Sequence, residues 1–444
     1  MGALREWFSP KRLRALLAAF LVTIGAGRLG AQPGTIRLTL QEAEAEALKN
    51  HPQVLAAQNQ LAAMNQRINQ ARAPYYPFLD GNLTQSQANP RARDGAGLLN
   101  APSLYNRVGQ GVVLSQLISD SGRTPNLVAS SRLQAGAAEQ DVAATKYDVL
   151  LRVNQAYYGV RRAQALVQVA QATVAARQTL VDQATALFNN GLKSQVDVAF
   201  AGVELANAKL LQLQSDDQVQ EAYADLTRAL GAQDAAIYQL ADEPLPPSPP
   251  LQAEALVQQA LSARPELASL ALNRDAAYKF ERAERDLSLP NASFLGVGGY
   301  IPYIAQLQLP RVTPAEFEGV GINVQIPVFN GGLFKARREE AHDRALEADQ
   351  RLRDEAEAVA RDVRTAWAAA SVAYQRMDVT AELLRQATLA DQLAQGRYDL
   401  GLATIVELTQ ALLNVTAAEV ANVNAKYDYQ SQYAALQYTI GALR

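Results

Sequence analysis

The chain has 444 residues, 49% of them hydrophobic, with 19% charged and a net charge of −3. That suffices for a large core or one elongated assembly unit, and the weak acidity argues against a nucleic-acid partner. With no Cys and two distant His, His51 and His342, the composition excludes disulfides, thiol catalysis, Cys-based metal sites and lipidation on an N-terminal Cys, and shows no histidine cluster.

The N-terminus reads as a secretory signal: Lys11, Arg12 and Arg14 precede the apolar run Ala15–Ala26, and small residues lead to Ala31. The run is short for a transmembrane helix, the uncleaved anchor being the alternative. Removal of residues 1–31 leaves 36 basic and 43 acidic residues. No later stretch is apolar enough to span as a helix, so any membrane crossing falls to strands.

Residues 39–73 pattern as helix with a break at His51-Pro52, since proline restricts the residue before it. Phe78–Ala88 and Tyr105–Ile118 alternate as strands, about ten residues being what a tilted spanning strand needs. Asn89–Leu104 between them is a loop rich in Pro, Gly, Asn and Arg. From Arg123 to about Phe188 no strong breaker interrupts an Ala/Gln/Leu/Val/Arg-rich run, a helix of roughly 100 Å at 1.5 Å per residue. A Gly191-Leu192 break follows, then a helix from Ser194 to Leu230 and a stiff linker, Asp242–Pro250.

The plan then repeats. Ala260–Asn273 echoes Ala47–Gln60, with Pro265 over Pro52. Strands Asn291–Ile301 and Phe317–Phe329 flank a loop, Pro302–Glu316, and a helix runs from Leu333 to about Tyr398. After Gly401-Leu402 a last helix runs from Thr404 to about Leu443. Arg397–Gln410 (RYDLGLATIVELTQ) matches Leu187–Phe200 (LFNNGLKSQVDVAF) at Tyr398/Phe188, Gly401/Gly191, Leu402/Leu192, Val406/Val196 and Glu407/Asp197. Each copy reads as a helical-hairpin tip: Gly supplies the left-handed reversal, and the acid suits the next helix's positive end. The chain is thus a tandem duplication with a period near 210 residues, divided as signal 1–31, first repeat 32–241, linker 242–250 and second repeat 251–444.

Two strands per repeat cannot close a barrel, and an open edge cannot face lipid, so other copies must complete the sheet. Three copies give twelve strands, two only eight; a cyclic oligomer satisfies every edge. The long helices leave the strands on one side, and the two loops should face the cell exterior.

The ordered combination of tandem repeat, four strands, long helices and two Gly-Leu tips resembles the TolC-type outer-membrane efflux factor family over nearly the whole mature chain. The resemblance implies a mostly α fold with a small β part. It also implies a homotrimer whose twelve-stranded outer-membrane β-barrel continues as a long periplasmic α-helical barrel. It implies passive export, in efflux or type I secretion, of solutes received from an inner-membrane pump through a periplasmic adaptor, with no catalytic residue and no cofactor. Glu407 falls on the family's pore-constricting acidic position, Tyr398 on the aromatic before the tip, and Asp197 on the acid that helps hold the closed entrance. Each acid also reads as an ordinary helix-start charge. Gln410 and Asn414 share the helical face of Glu407. Ala403 and Gln410 depart from the family, standing where its type member carries a base and a second acid. The closed state is then expected to lean on packing around Tyr398 and Leu402. Gly191, Leu192, Gly401 and Leu402 resemble the adaptor-docking tips, beyond simple helix reversal. The histidines are expected on surface or boundary positions. Tyr75, Tyr76, Phe78, Tyr105, Phe294, Tyr300 and Tyr303 suit either interface girdles or ordinary strand composition. A pore-less structural coiled-coil protein of the envelope is the competing class. The exported compound is not legible, being set by the pump.

Overall fold

A computed structural model describes residues 36–86, 107–232, 238–304 and 316–443. The signal segment, Tyr105 and nearly all of both loops lie outside the described residues. In chain order the elements are β1 (Ile36–Leu38), α1 (Leu40–Asn50), α2 (Pro52–Arg72), β2 (Phe78–Ser86), β3 (Arg107–Ser119), α3 (Arg123–Asn189), α4 (Gln195–Leu230), β4 (Tyr238–Leu240), α5 (Glu254–Ala263), α6 (Pro265–Asp286), β5 (Asn291–Ile304), β6 (Glu316–Gln325), α7 (Leu333–Asp399) and α8 (Ile405–Thr439). The protein is mostly helical with a small sheet part. No described helix is long and apolar enough to cross a membrane.

The long helices α3 and α7, 67 residues each, run the length of the helical region, roughly 100 Å. Shorter helices lie beside them in two tiers. Nearest the strands, α2 packs on α3, α3 on α6 and α6 on α7; towards the tips the order is α4, α3, α8, α7. Helices α4 and α2 therefore follow one another along α3, as α8 and α6 do along α7. The joints are built alike. Gly231 and Gly441, at φ +71° and +70°, close the ends of α4 and α8 with paired i→i−5 and i→i−3 backbone bonds. A side chain on Gly231 would meet the His51 Cα at 2.8 Å, while one on Gly441 would sit 3.3 Å from Ala263. Both glycines thus let a helix end abut the turn before the next helix. Replacing Gly231 with Ala adds a backbone clash to the left-handed penalty of about 1–2 kcal/mol, whereas Gly441→Ala adds only a tight contact. Thermal unfolding should show the larger drop for Gly231→Ala; equal drops would contradict the joint.

His51 is a joint residue rather than a surface one. It is 8% exposed, and its Nδ1 accepts from the Gln53 amide at 3.2 Å, capping α2, so its placement follows from Pro52 opening the helix. Burial and the neighbouring Arg152 push its pKa down. His342 is exposed and pairs with Glu281 at 3.1 Å.

The four long strands form one antiparallel sheet, β2-β3-β5-β6, whose edges β2 and β6 are unpaired among the described residues. Register places Leu79, Leu114, Gly296 and Val320 in one row, so Leu79, Leu83, Val112, Leu114, Val320, Ile322 and Val324 share a face. Asp80, Asn82, Thr84, Ser115 and Asn323 occupy the other. The first face is the more apolar but also carries Gln110, Glu316 and Glu318, and the second mixes its polar residues with Val113, Leu295, Val297 and Phe317, so the alternation of a spanning barrel wall is partial. Strand β6 stops at Gln325, short of Phe329; Pro327 has no N–H to continue a ladder. Of the aromatic residues around the strands, Tyr75, Tyr76, Phe78 and Tyr300 are exposed.

A parallel pair absent from the sequence reading, β1 with β4, ties residue 36 to residue 238. Tyr157 fastens it to α3, its hydroxyl donating to the carbonyls of Ala241 (2.7 Å) and Leu38 (3.2 Å). The linker Asp242–Pro250 has no regular structure but is anchored: Trp367 Nε1 donates to Pro250 O at 2.8 Å, and the Tyr429 hydroxyl to Pro247 O. Three buried clusters fill the rod. Two lie at the joints of the repeats and one, Leu180, Ala184, Ala201, Ala394, Tyr398, Ala403, Ile405, Leu408 and Ala411, lies behind the tips.

Candidate functional site: the hairpin tips

The two reversals are superimposable in their bonding. Leu192 N donates to Leu187 O and Gly191 N to Phe188 O, both at 2.9 Å. Leu402 N donates to Arg397 O at 2.8 Å and Gly401 N to Tyr398 O at 3.0 Å. These are the paired bonds of a Schellman end, with glycine left-handed at φ +70° and +72°. The residue after the glycine commonly packs back on its helix in this motif. Here Leu192 and Leu402 stand 70% and 67% exposed, so each tip presents a leucine outward.

The next helix starts with the acid in place. Asp197 Oδ2 accepts from Ser194 N and Ser194 Oγ, both at 2.9 Å, a capping box at the head of α4. Glu407 occupies the same position on α8, but there Thr404 alone caps, accepting from the Glu407 amide at 3.2 Å. The Glu407 carboxylate is free for another partner, and Arg397 supplies it: Arg397 Nε lies 3.3 Å from Glu407 Oε1. The base missing at Ala403 is thus provided from the other side of the reversal, in the last turn of α7. Sequence reasoning missed it, although Arg397 heads the very stretch that carries the tip motif. Across a tight helix reversal, the last turn of one helix faces the first turn of the next.

Ala403 is buried, 7% exposed, and a long basic side chain there would displace the core behind the tips. Tyr398, expected at the constriction, is 2% exposed and belongs to that core. An aromatic ring at the last turn of α7 fills the space between the two hairpins of one chain. Lys193 from the first tip sits over its face, Nζ 4.3 Å from the centroid. Its hydroxyl is buried without a hydrogen-bond partner among the described residues, and burial, then Asp197 and Asp399, push its pKa up. Gln410 Nε2 donates to Asn414 Oδ1 at 3.1 Å, one turn along the exposed face that begins at Glu407. Glu407, Gln410 and Asn414 therefore form one polar strip. The Asp197 carboxylate is engaged in its own cap.

A family model described as outer membrane efflux protein matches residues 45–232 and 256–442, one match on each repeat. The chain belongs to this family. Outer membrane protein TolC of Vibrio cholerae serotype O1 is 24% identical over 419 residues, covering 91% of each chain. Protein CyaE of Bordetella pertussis is 26% identical over 91% of this chain and 84% of its own. Among solved structures the fold is similar to CusC, with TM-score 0.77 at 18% identity, over 90% of this chain and 92% of that one. It is also similar to VceC of Vibrio cholerae, with TM-score 0.73 at 18% identity, over 90% and 96%. As a member of the outer membrane efflux family, the chain resides in the outer membrane, its helices extending into the periplasm.

Proposed function

We propose that this efflux-family chain is the channel component of a tripartite efflux or type I secretion system, a passive conduit fed by an inner-membrane pump through a periplasmic adaptor. Three copies would close a twelve-stranded barrel continued by a helical one. The observation carrying this reading is that both layers of the protomer end on open edges. The sheet ends on β2 and β6. The tip-side helical layer ends on α4 and α7, and both carry exposed apolar residues at heptad spacing: Val196, Val203 and Leu210 on α4, Val372, Val379, Leu393 and Leu400 on α7. Edges that differ on the two sides join head to tail, and such a contact closes a ring when the rotation permits. The polar strip Glu407–Gln410–Asn414 lies on an exposed face at the tip end, where it would constrict the ring's entrance together with Asp197. Leu192 and Leu402, with Gly191 and Gly401 holding them outward, would seat the adaptor. The reading assigns no catalysis and no cofactor.

The test is reconstitution. The purified protein should sediment as a trimer and give discrete conductance steps in planar bilayers. Leu192→Glu with Leu402→Glu should keep those steps and weaken capture of the partner adaptor. A folded monomer that keeps its helical and β signals yet gives no conductance steps would sink the proposal.

A further inference from the structure

The two β-hairpins are copies in register as well as in sequence. Phe78 faces Ser115 in the first, and Asn291 faces Gln325 in the second, 213 and 210 positions on. At the other end Ser86 faces Arg107, and Gly299 faces Phe317 by the same two steps. One seam, β3–β5, joins the first hairpin to the second, and its register is unbroken from Gln110↔Tyr300 to Leu117↔Ser293. The edge strands β6 and β2 are the counterparts of β3 and β5. The seam β3–β5 is therefore a template, within the chain, for a contact that the edges lack.

Two details fit β6 to that contact. At the β3–β5 seam a Cβ added to Gly111 would lie 2.8 Å from Gly298 O, and its counterpart on β6 is again a glycine, Gly321, with nothing among the described residues within 4 Å of an added Cβ. Beyond Gln325, where β6 ends, Ile326, Val328 and Phe329 stand exposed, whereas β3 runs on beside β5 to Ser119. Pro327 is the counterpart of Leu117, where the β3–β5 ladder shifts register, and such irregularities are where strands accept proline.

We propose that β6 of one copy pairs antiparallel with β2 of the next in the register of β3–β5: Val324 opposite Leu83, Asn323 opposite Thr84 and Gln325 opposite Asn82. This rests on the channel reading above, to which it adds the residues of the seam. Leu83 and Val324 are exposed apolar side chains on open edges. The pairing sets them against each other, and polar residues against polar ones on the opposite face, the cross-strand contacts that stabilise a sheet. A slip of one residue would turn the next copy's side chains to the wrong face, and the internal template chooses among the even slips. Residues 326–329 then run beside Phe78–Gly81 of the next copy. The barrel becomes a ring of like hairpins in which seams within and between chains alternate.

The chain has no native Cys, so disulfides can read the seam. Residues directly opposite across an antiparallel pair have Cα atoms about 4.5 or 5.5 Å apart, within disulfide reach, whereas diagonal neighbours lie about 7–8 Å apart. Within one chain β2 and β6 are three strand spacings apart, about 14 Å, so a link joins two copies. In outer membranes holding the full-length protein, mild oxidation of Leu83→Cys with Val324→Cys should carry most of the protein from monomer to covalent dimers and trimers on non-reducing denaturing gels. Thr84→Cys with Asn323→Cys, and Asn82→Cys with Gln325→Cys, should do the same. Thr84→Cys with Val324→Cys, slipped by one, and Asn82→Cys with Asn323→Cys, slipped by two, should run as monomers, as should each single variant. Slipped pairs that link better than the matched ones, or a single Cys that links to its own counterpart, overturn the register. The three matched pairs lie on both faces, so one that fails to assemble leaves the others to decide. Matched pairs that stay unlinked in a protein still sedimenting as a trimer overturn the register and leave the channel reading standing. A folded monomer removes both.

Discussion

Arg397→Gln should make the periplasmic entrance strongly cation-preferring and sensitive to divalent block, whereas Glu407→Gln should make it anion-preferring and insensitive. The sequence alone points to a bare ring of Glu407 carboxylates. The structure pairs each with Arg397 at 3.3 Å, both groups about half exposed. A pair so exposed contributes under about 1 kcal/mol to stability, so neither change should alter assembly. Its effect lies in the field. Unit charges 4 Å apart interact by about 1 kcal/mol in bulk water and about 4 kcal/mol at a protein surface. A narrow opening lined by three like charges therefore alters local ion concentration by roughly tenfold or more. The parent, with each charge paired, should sit between the two variants, and the double variant close to the parent. Reversal potentials in asymmetric salt, with and without added divalent ion, decide it. Arg397→Gln and Glu407→Gln shifting selectivity the same way would show that the pair does not face the passage. Asp197→Asn should shift selectivity less. Its carboxylate is committed to Ser194, so its loss falls mainly on the head of α4, where a cap is worth about 1 kcal/mol.

How far such features could be read in advance depends on whether they are periodic. Helices α3 and α7 ended within a residue or two of expectation because glycine-closed ends and unbroken helical composition are local signals. The strands were legible from their alternation, apart from the end of β6, where the apolar character of Ile326, Val328 and Phe329 outlasts the ladder that Pro327 interrupts. The pair β1–β4 was not legible: three-residue strands have no period to detect, and the partners lie some 200 residues apart. Tyr398 was placed at the constriction by resemblance; that its ring fills the gap between the hairpins, at 2% exposure, was not legible because only the packing of the two hairpins reveals it. Arg177 of α3 escaped for the same reason. In the sequence it is one more basic residue in a polar-speckled helix, and only the packing of that helix reveals that it is buried.

Assembly should fail when a charge is placed on the apolar edge. Val203 is 56% exposed on α4, midway along the row with Val196 and Leu210. Nothing among the described residues covers that row, because α4 packs on α3 and is the last helix of its layer. The complementary row, Val379 and Leu393 on α7, is 68% and 61% exposed at the layer's other end. Burying one such side chain contributes about 1.5–3 kcal/mol. In the proposed ring, the seven residues on the two rows would recur at each contact between helices. Val203→Glu exchanges one of these gains for a carboxylate facing valine and leucine, and does so at every contact at once. Val203→Ala, by contrast, removes only part of one side chain per contact and should leave the oligomer intact. Sedimentation in detergent should find the Glu variant as monomer, or as a ring held by strands alone whose helices are cut by protease within minutes. The circular dichroism of its helices should stay, since α3 still packs α4 within the chain. A Val203→Glu protein that sediments and resists protease like the parent would place the helical contact elsewhere, and the open edge of α4 would then face solvent in the assembled channel.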